Sequence, residues 1–222
     1  MAIEISTIAQ LQLIGNDPGY PLDGDYVLTQ DIDASDTVNW NGGAGFEPIG
    51  TTLDAPFSGT FDGQFYLIDG ITINRPSTDV VGVFKGISGT VTNLAINGSV
   101  IGKNNTAIIS GGLTGTINKC FSTGIASGIQ YVSGLVSCGN GTISDSYSTA
   151  SVSGDRYVSG FVSMVYSASI ITNCYSAGSV NAILDFKGFI ASAQTGHVES
   201  NCYWDIETSG CETSVGGTGK TT

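Results

Sequence analysis

The stretches "GTVTNLAINGSVIG" (residues 89–102), "GTINKCFSTGIASG" (115–128) and "GTISDSYSTASVSG" (141–154) start in equal steps and run through the same residue types. Self-similarity at a fixed period, here about 26 residues, is the mark of a stacked repeat, so the reading of this stretch decides the fold. Two further copies follow, "IITNCYSAGSVNA" from Ile170 and "VESNCYWDIETSG" from Val198. Leu94, Cys120, Ser146, Cys174 and Cys202 share one repeat position, and the step between them lengthens slightly in the last two copies. An earlier, degenerate copy is read in "GTFDGQFYLIDGITI", with Gly63, Phe65 and Ile68 set one period before Gly89, Val91 and Leu94.

A second block recurs between these copies: "YVSGLVS" from Tyr131, "YVSGFVS" from Tyr157 and "FKGFIAS" from Phe186, with "VGVFKG" from Val81 as a first relative. Each unit thus holds two or three short runs of β-branched and small residues punctuated by Gly, Asn and Ser, the pattern of strands and turns. One such unit cannot bury its apolar face alone, and neighbours must stack. Strands of successive units then pair in parallel about 4.8 Å apart, with Val91, Ile117, Ile143 and Ile171 in a ladder inside the coil. The expected fold is all-β: a parallel β-helix (solenoid) of about 26–28 residues per rung. Right-handedness is expected from the general behaviour of parallel crossovers. A β-propeller blade is the rival, but blades run to roughly 40 residues or more.

Residues 1–56 do not repeat and read as an N-terminal cap with the first strands. Within them "STIAQLQLIG" is the best helix candidate, capped by Ser6 or Thr7. Residues 57–204 form the repeat region, and 205–222 read as an irregular tail. The ending "SVGGTGKTT" looks at first like a phosphate-binding loop. That motif, G-x-x-x-x-G-K-[ST], places its first glycine where this chain has Ser214, so the match fails.

Composition narrows the function. Thirty-two glycines and only 12% charged residues suit short strands and tight turns. A net charge of −12 repels nucleic acid and anionic membranes, so neither is an expected partner. No apolar run is long enough to span a bilayer, and "MAIEIST" lacks the basic and apolar regions of a signal peptide. The expectation is an extracellular, cell-surface or virion location, with export handled by sequence outside this chain or by no signal at all.

At "SGLVSCGNGTISDSYSTASVSG", residues 133–154, the sequence resembles the GLUG motif, a short repeat of large bacterial surface proteins. Its pattern of Gly-Leu-Val, Gly-x-Ile, Cys/Ser-Tyr-Ser and Val-Ser-Gly is followed in order. "YVLTQDIDAS" with "FEPIGTTLDAPFSGTFDGQFYLIDGITI" also looks like the segment preceding such repeats, and the tail looks like their closing stretch, before further domains of a larger chain. The resemblance implies a module of adhesins or of immunoglobulin-protease-like surface proteins, in which the repeats resemble accessory regions. The H-E-x-x-H of such proteases is absent, because His197 is the single histidine.

The residue reading weighs several sites. Phe121, Tyr147, Tyr175 and Tyr203 form one aromatic column, and Tyr131 and Tyr157 another. Pointing outward, a column makes a flat aromatic strip suited to a surface glycan or protein ligand; pointing inward, it is core. Asp155 and Asp185 lie on neighbouring rungs and are the pair a polysaccharide-cleaving enzyme would use. Asp31, Asp33 and Asp36 are a minor calcium candidate in a chain otherwise expected to need no cofactor. His197 beside Glu199 reads as a solvated turn histidine. Cys120, Cys138, Cys174, Cys202 and Cys211 show no C-x-x-C spacing, and those of the repeat column read as free, packed thiols. The expected function is non-catalytic adhesion through an extended solenoid face, with a passive spacer and a polysaccharide-degrading enzyme as alternatives.

Overall fold

The structure, a computed structural model, describes residues 1–50 and 54–221. Residues 51–53 and 222, which fall within the expected cap and tail, lie outside the described residues. One face of the molecule is an eight-stranded sheet whose order follows the chain: Ile3–Ile5, Asp25–Leu28, Thr60–Asp62, Thr90–Thr92, Thr116–Asn118, Thr142–Ser144, Ile170–Thr172 and Val198–Ser200. A second, bent face is a twelve-stranded sheet, and a third face holds Ser110–Leu113, Val136–Gly139, Val162–Val165 and Ile190–Ala193. Pairing between the named strands is parallel, with equivalent residues of successive rungs directly opposite. This is a parallel β-solenoid; propeller blades are radially repeated four-stranded sheets and do not stack in this way.

The core is a set of ladders. On the first face Ile3, Tyr26, Phe61, Val91, Ile117, Ile143 and Ile171 stand over one another in consecutive strands. Val91, Ile117, Ile143 and Ile171 are buried, as the periodicity requires. Inside the second face the ladder changes character, from Ile32, Ile68 and Ile96 to Ser122, Ser148 and Ser176, and ends on Trp204. Phe161 and Phe189 stack within the third face, with ring centroids 4.6 Å apart.

Between the first and second faces the chain turns on one residue of left-handed conformation: Asn93, Lys119, Asp145, Asn173 and Asn201, with φ of 50–55°. Asn and Asp tolerate this region better than other non-glycine residues, and the corner repeats them for that reason. Asp62, Asn93, Asp145, Asn173 and Asn201 hydrogen-bond along the corner: Asn93 Nδ2 to Asp62 Oδ1 (2.9 Å), Asn173 Nδ2 to Asp145 Oδ1 (2.9 Å), Asn201 Nδ2 to Asn173 Oδ1 (3.1 Å). The corner also explains the Cys column that follows it. Cys120, Cys174 and Cys202 each turn the thiol back onto the carbonyl two residues earlier, at 3.1–3.4 Å, and the Ser146 hydroxyl makes the same bond at 2.7 Å.

Three expectations are corrected. The first copy does not keep the period of the later ones: Phe61 lies opposite Val91 and Ile68 opposite Ile96. The cause is a longer corner, Gly63 to Tyr66, in which both Gln64 and Phe65 are left-handed and Phe65 is exposed rather than in the ladder. Second, the first strands expected within residues 1–56, Ile3–Ile5 and Asp25–Leu28, are not part of a separate cap but belong to the first sheet of the coil. They escape the repeat because a helix, Ile8–Leu13, N-capped by Thr7, is inserted between them. Third, the tail is ordered: Asp205 caps a short helix, Ile206–Ser209, and Thr218–Lys220 pairs in parallel with Tyr203–Asp205. "GTGK" therefore contributes an edge strand and no phosphate loop.

Candidate functional site

The second face carries both aromatic columns. Phe121, Tyr147, Tyr175 and Tyr203 occupy one register position of consecutive strands. Each follows a buried Cys or Ser at the corner, and strand alternation then points the next side chain outward. Phe121 and Tyr147 are half-buried, while Tyr175 and Tyr203 are 42% and 39% exposed. The column faces solvent.

Its geometry differs from the expected flat strip. The centroids of Phe121 and Tyr147 are 4.4 Å apart and those of Tyr147 and Tyr175 4.7 Å, with planes 27° and 6° from parallel. Two rings lying side by side in the plane of a surface cannot come so close, because their edges collide. The rings instead stand on edge, face against face along the solenoid axis, in the offset stack favoured by their quadrupoles. Both faces of Tyr147 are thus covered, and what the column shows to solvent is ring edges and phenol hydroxyls. Among the described residues no protein group takes the hydroxyls of Tyr147 and Tyr175. Burial, and then Tyr147 beside it, pushes the Tyr175 phenol up, so its hydroxyl remains a hydrogen-bond donor.

Tyr131 and Tyr157 stack in the same manner, centroids 5.0 Å apart and planes 5° from parallel. The Arg156 guanidinium lies 4.6 Å from the Tyr157 ring centroid, a cation–π contact. Both tyrosines are left-handed, with φ of 57° and 55°, in a second corner column with Asn105 above and Asp185 below. Asp185, and not Phe186, therefore takes the tyrosine position in the last rung, with Phe186 opposite Val158.

That register also places the two aspartates. Asp185 falls between the Arg156–Leu184 and Val158–Phe186 pairs, opposite Tyr157 and out of step with Asp155. Its Oδ2 accepts a hydrogen bond from Arg156 Nε at 2.8 Å. The carboxylate is paired with a neighbour of opposite charge, and Asp155 and Asp185 are offset by two register positions rather than standing directly opposite one another. Asp31, Asp33 and Asp36 likewise serve separate local bonds: Asp31 accepts from Leu67 N, Asp33 from Ser35 N, and Asp36 from Asn39 Nδ2. Hydrogen bonds from Ser35 hold the Asp33 carboxyl below its usual range. Among the described residues no three His, Cys, Asp or Glu side chains converge on a common point. His197 places Nδ1 2.9 Å from the Gln194 carbonyl, across a turn.

All five cysteines are free thiols. Burial pushes Cys120 up to about 12 and Cys138 to about 11, so neither is a nucleophile at neutral pH. Glu199, read from the sequence only as the neighbour of His197, has a structural role. It stands opposite Ile171, at the foot of the isoleucine ladder, and its Oε1 accepts the Gly217 N–H at 2.9 Å. An acid in a ladder position is the signal that would have found it.

Set beside known proteins, the chain matches no family model. It is 42% identical over 110 residues to "Halomucin" of Haloquadratum walsbyi, a match covering 48% of this chain and 1% of that protein. It is 36% identical over 91 residues to a "Putative Gly-rich membrane protein" of Evansella cellulosilytica, covering 40% of this chain and 10% of that one. The matched parts are thus small fractions of both relatives' length. The solved structure named "putative immunoglobulin A1 protease", from Bacteroides ovatus, superposes on 99% of this chain and 83% of its own with a TM-score of 0.73. At 16% identity this likeness concerns the fold. No described helix is long and apolar enough to cross a membrane.

Proposed function

We propose that this chain is a non-catalytic binding module, built of GLUG-like repeats, of an extracellular surface protein or a phage tail component. Its ligand is a surface glycan or a protein, held along the second face. The observation that carries this reading is the outward column of Tyr147, Tyr175 and Tyr203 with unengaged hydroxyls. A row of identical donors and acceptors at strand spacing, about 4.8 Å, is matched by a polymer that repeats hydroxyl or amide groups. Recognition is by hydrogen bonds to phenols, because both ring faces of Tyr147 are covered by Phe121 and Tyr175, and Lys220 lies over the ring of Tyr203. Solenoids commonly build extended binding surfaces in this manner.

The names of the two relatives, a mucin and a membrane protein, support placement at a cell surface. The pairing of Asp185 with Arg156 speaks against the enzyme alternative. The spacer alternative rests on the same stacking, since rings that satisfy one another need no ligand. Fluorescently labelled protein applied to an array of bacterial and host glycans, with and without calcium, separates the two. Saturable binding that is lost in the Tyr147→Ala, Tyr175→Ala double variant supports recognition by the column. No binding in either condition removes the glycan reading and leaves a spacer or a protein ligand.

A further inference from the structure

We infer a second saccharide site, outside the repeats, in a cleft walled by Trp40 and Glu47; it deepens the glycan reading above by adding a place the tyrosine column does not provide. The cleft consists of two depressions, of about 520 Å³ and about 230 Å³, that share Asn16 and Glu47 in their walls. Both are open to solvent, the shape of a shallow surface site for a sugar ring rather than of an enclosed pocket.

Its polar groups are fixed in advance. Gln12 clamps the Glu47 backbone from both sides, Nε2 donating to the carbonyl at 3.1 Å and Oε1 accepting the N–H at 2.8 Å. Asn16 Nδ2 donates to the Gln12 carbonyl at 2.8 Å, and Asn41 Nδ2 to the Gly45 carbonyl at 2.7 Å. Each amide nitrogen has one N–H engaged, and among the described residues nothing donates to Asn16 Oδ1 or Asn41 Oδ1, which stand as acceptors. Glu47 Oε2 is held by Arg75, leaving Oε1 as a third. The partly buried Trp40 contributes an indole whose Nε1–H has no partner among the described residues.

Charge selects the ligand. Among the described residues Glu47 is the one charged side chain in the walls, and Arg75 pairs with it. An anion meets acceptors and no cationic donor, and a bare cation finds its carboxylate already paired. A neutral saccharide answers all of these groups: its hydroxyls donate to the three acceptors and accept from the indole, and its C–H face lies on the aromatic ring. Rigid placement of the acceptors keeps the ordering cost of binding low.

The chain contains two tryptophans, and Trp204 is only 7% exposed, so quenching by acrylamide reports mainly on Trp40. The whole chain is titrated with maltose, cellobiose, lactose and N,N′-diacetylchitobiose, and with choline as a cationic control, up to about 10 mM. The expected result is saturable shielding of Trp40 by at least one disaccharide. Binding falls about tenfold in Glu47→Gln, is lost in Trp40→Ala, and persists in the Tyr147→Ala, Tyr175→Ala double variant. Glu47→Gln changes a half-exposed side chain, so the test stands even where Trp40→Ala fails to fold. Shielding by choline and by no sugar overturns the saccharide assignment. No shielding, with array binding that the tyrosine variant abolishes, overturns the cleft and leaves the column reading intact. No shielding and no array binding overturns both.

Discussion

Tyr147 lies over Tyr175 with ring centroids 4.7 Å apart and planes within 6°. That distance is the separation of paired strands, so the solenoid itself sets the stack. Tyr147 is stacked on both sides, against Phe121 and Tyr175. With about 0.5–1.5 kcal/mol for each aromatic pair, Tyr147→Ala is expected to cost about 1–3 kcal/mol in a denaturant titration. Tyr147→Phe keeps the stack and is expected to cost little. The two variants separate stability from recognition. If phenol hydroxyls hold the ligand, the Tyr147→Phe, Tyr175→Phe double variant loses array binding while its unfolding curve stays near that of the parent. Full binding by that variant would show that the hydroxyls do not hold it.

The "GT" that opens the repeats at Gly89, Gly115 and Gly141 has a steric origin. A Cβ on Gly115 would lie 2.0 Å from the Gly89 carbonyl oxygen, and one on Gly89 equally close to that of Gly59. The same carbonyl oxygens accept hydrogen bonds from threonine N–H groups: Thr116 N–H donates to the Gly89 carbonyl and Thr90 N–H to that of Gly59, each at 2.9 Å. Rungs come together here without room for a methyl group. Gly115→Ala is expected to destabilise by about 3 kcal/mol, at the upper end for single substitutions, whereas Thr116→Ser on the outer side of the same strand is expected to be near neutral. Thermal unfolding of both settles the comparison.

Much of this was legible in the sequence because stacking in register leaves a trace at every rung. The Leu94–Cys202 column and the Phe121–Tyr203 column recur once per rung, and the glycines above and the Tyr131–Tyr157 pair on several rungs, because each position faces the same environment. Side-chain direction was not legible. One left-handed residue at each corner, such as Asn173, interrupts the two-residue alternation, so a pattern read across it assigns the wrong face. The first rung was misaligned for a related reason, since its corner is longer and Phe65, a good core residue by type, is spent on a turn. The Trp40 and Glu47 cleft left no trace at all. It arises from the non-repeating helix and the turn segment Ser35–Gly43, and no period connects Gln12 with Glu47.

The cysteines give a chemical check on the corner. Cys120, Cys174, Cys202 and Cys211 are buried, and Cys138 is partly accessible with a thiol pushed up to about 11 by burial. At pH 7 the folded protein is expected to react slowly with a thiol reagent, and at Cys138 first. In denaturant all five react. Rapid labelling of Cys174 in the folded protein would mean that the corner opens locally. Cys174→Ser is expected to be well tolerated, because Ser146 already occupies this position and makes the same bond to the carbonyl two residues back.

Asp62 begins the corner ladder, and its charge makes the ladder sensitive to acid. Burial by itself raises the Asp62 carboxyl; the hydrogen bonds from Asn93 Nδ2, Gln64 N and Gln64 Nε2 outweigh it and hold the group below its usual 3.8. A carboxyl lowered in the folded state stabilises above its unfolded value, and that contribution is lost as pH falls through the folded value. The parent should therefore lose stability below about pH 4 partly through this residue. Asp62→Asn is expected to melt at a lower temperature than the parent at pH 7, with the gap narrowing as pH is brought from 4 toward 2. Melting curves of the two proteins across that range test it. A gap that stays constant would assign the loss to the shape of the corner, and one that widens would reverse the sign argued for the carboxylate.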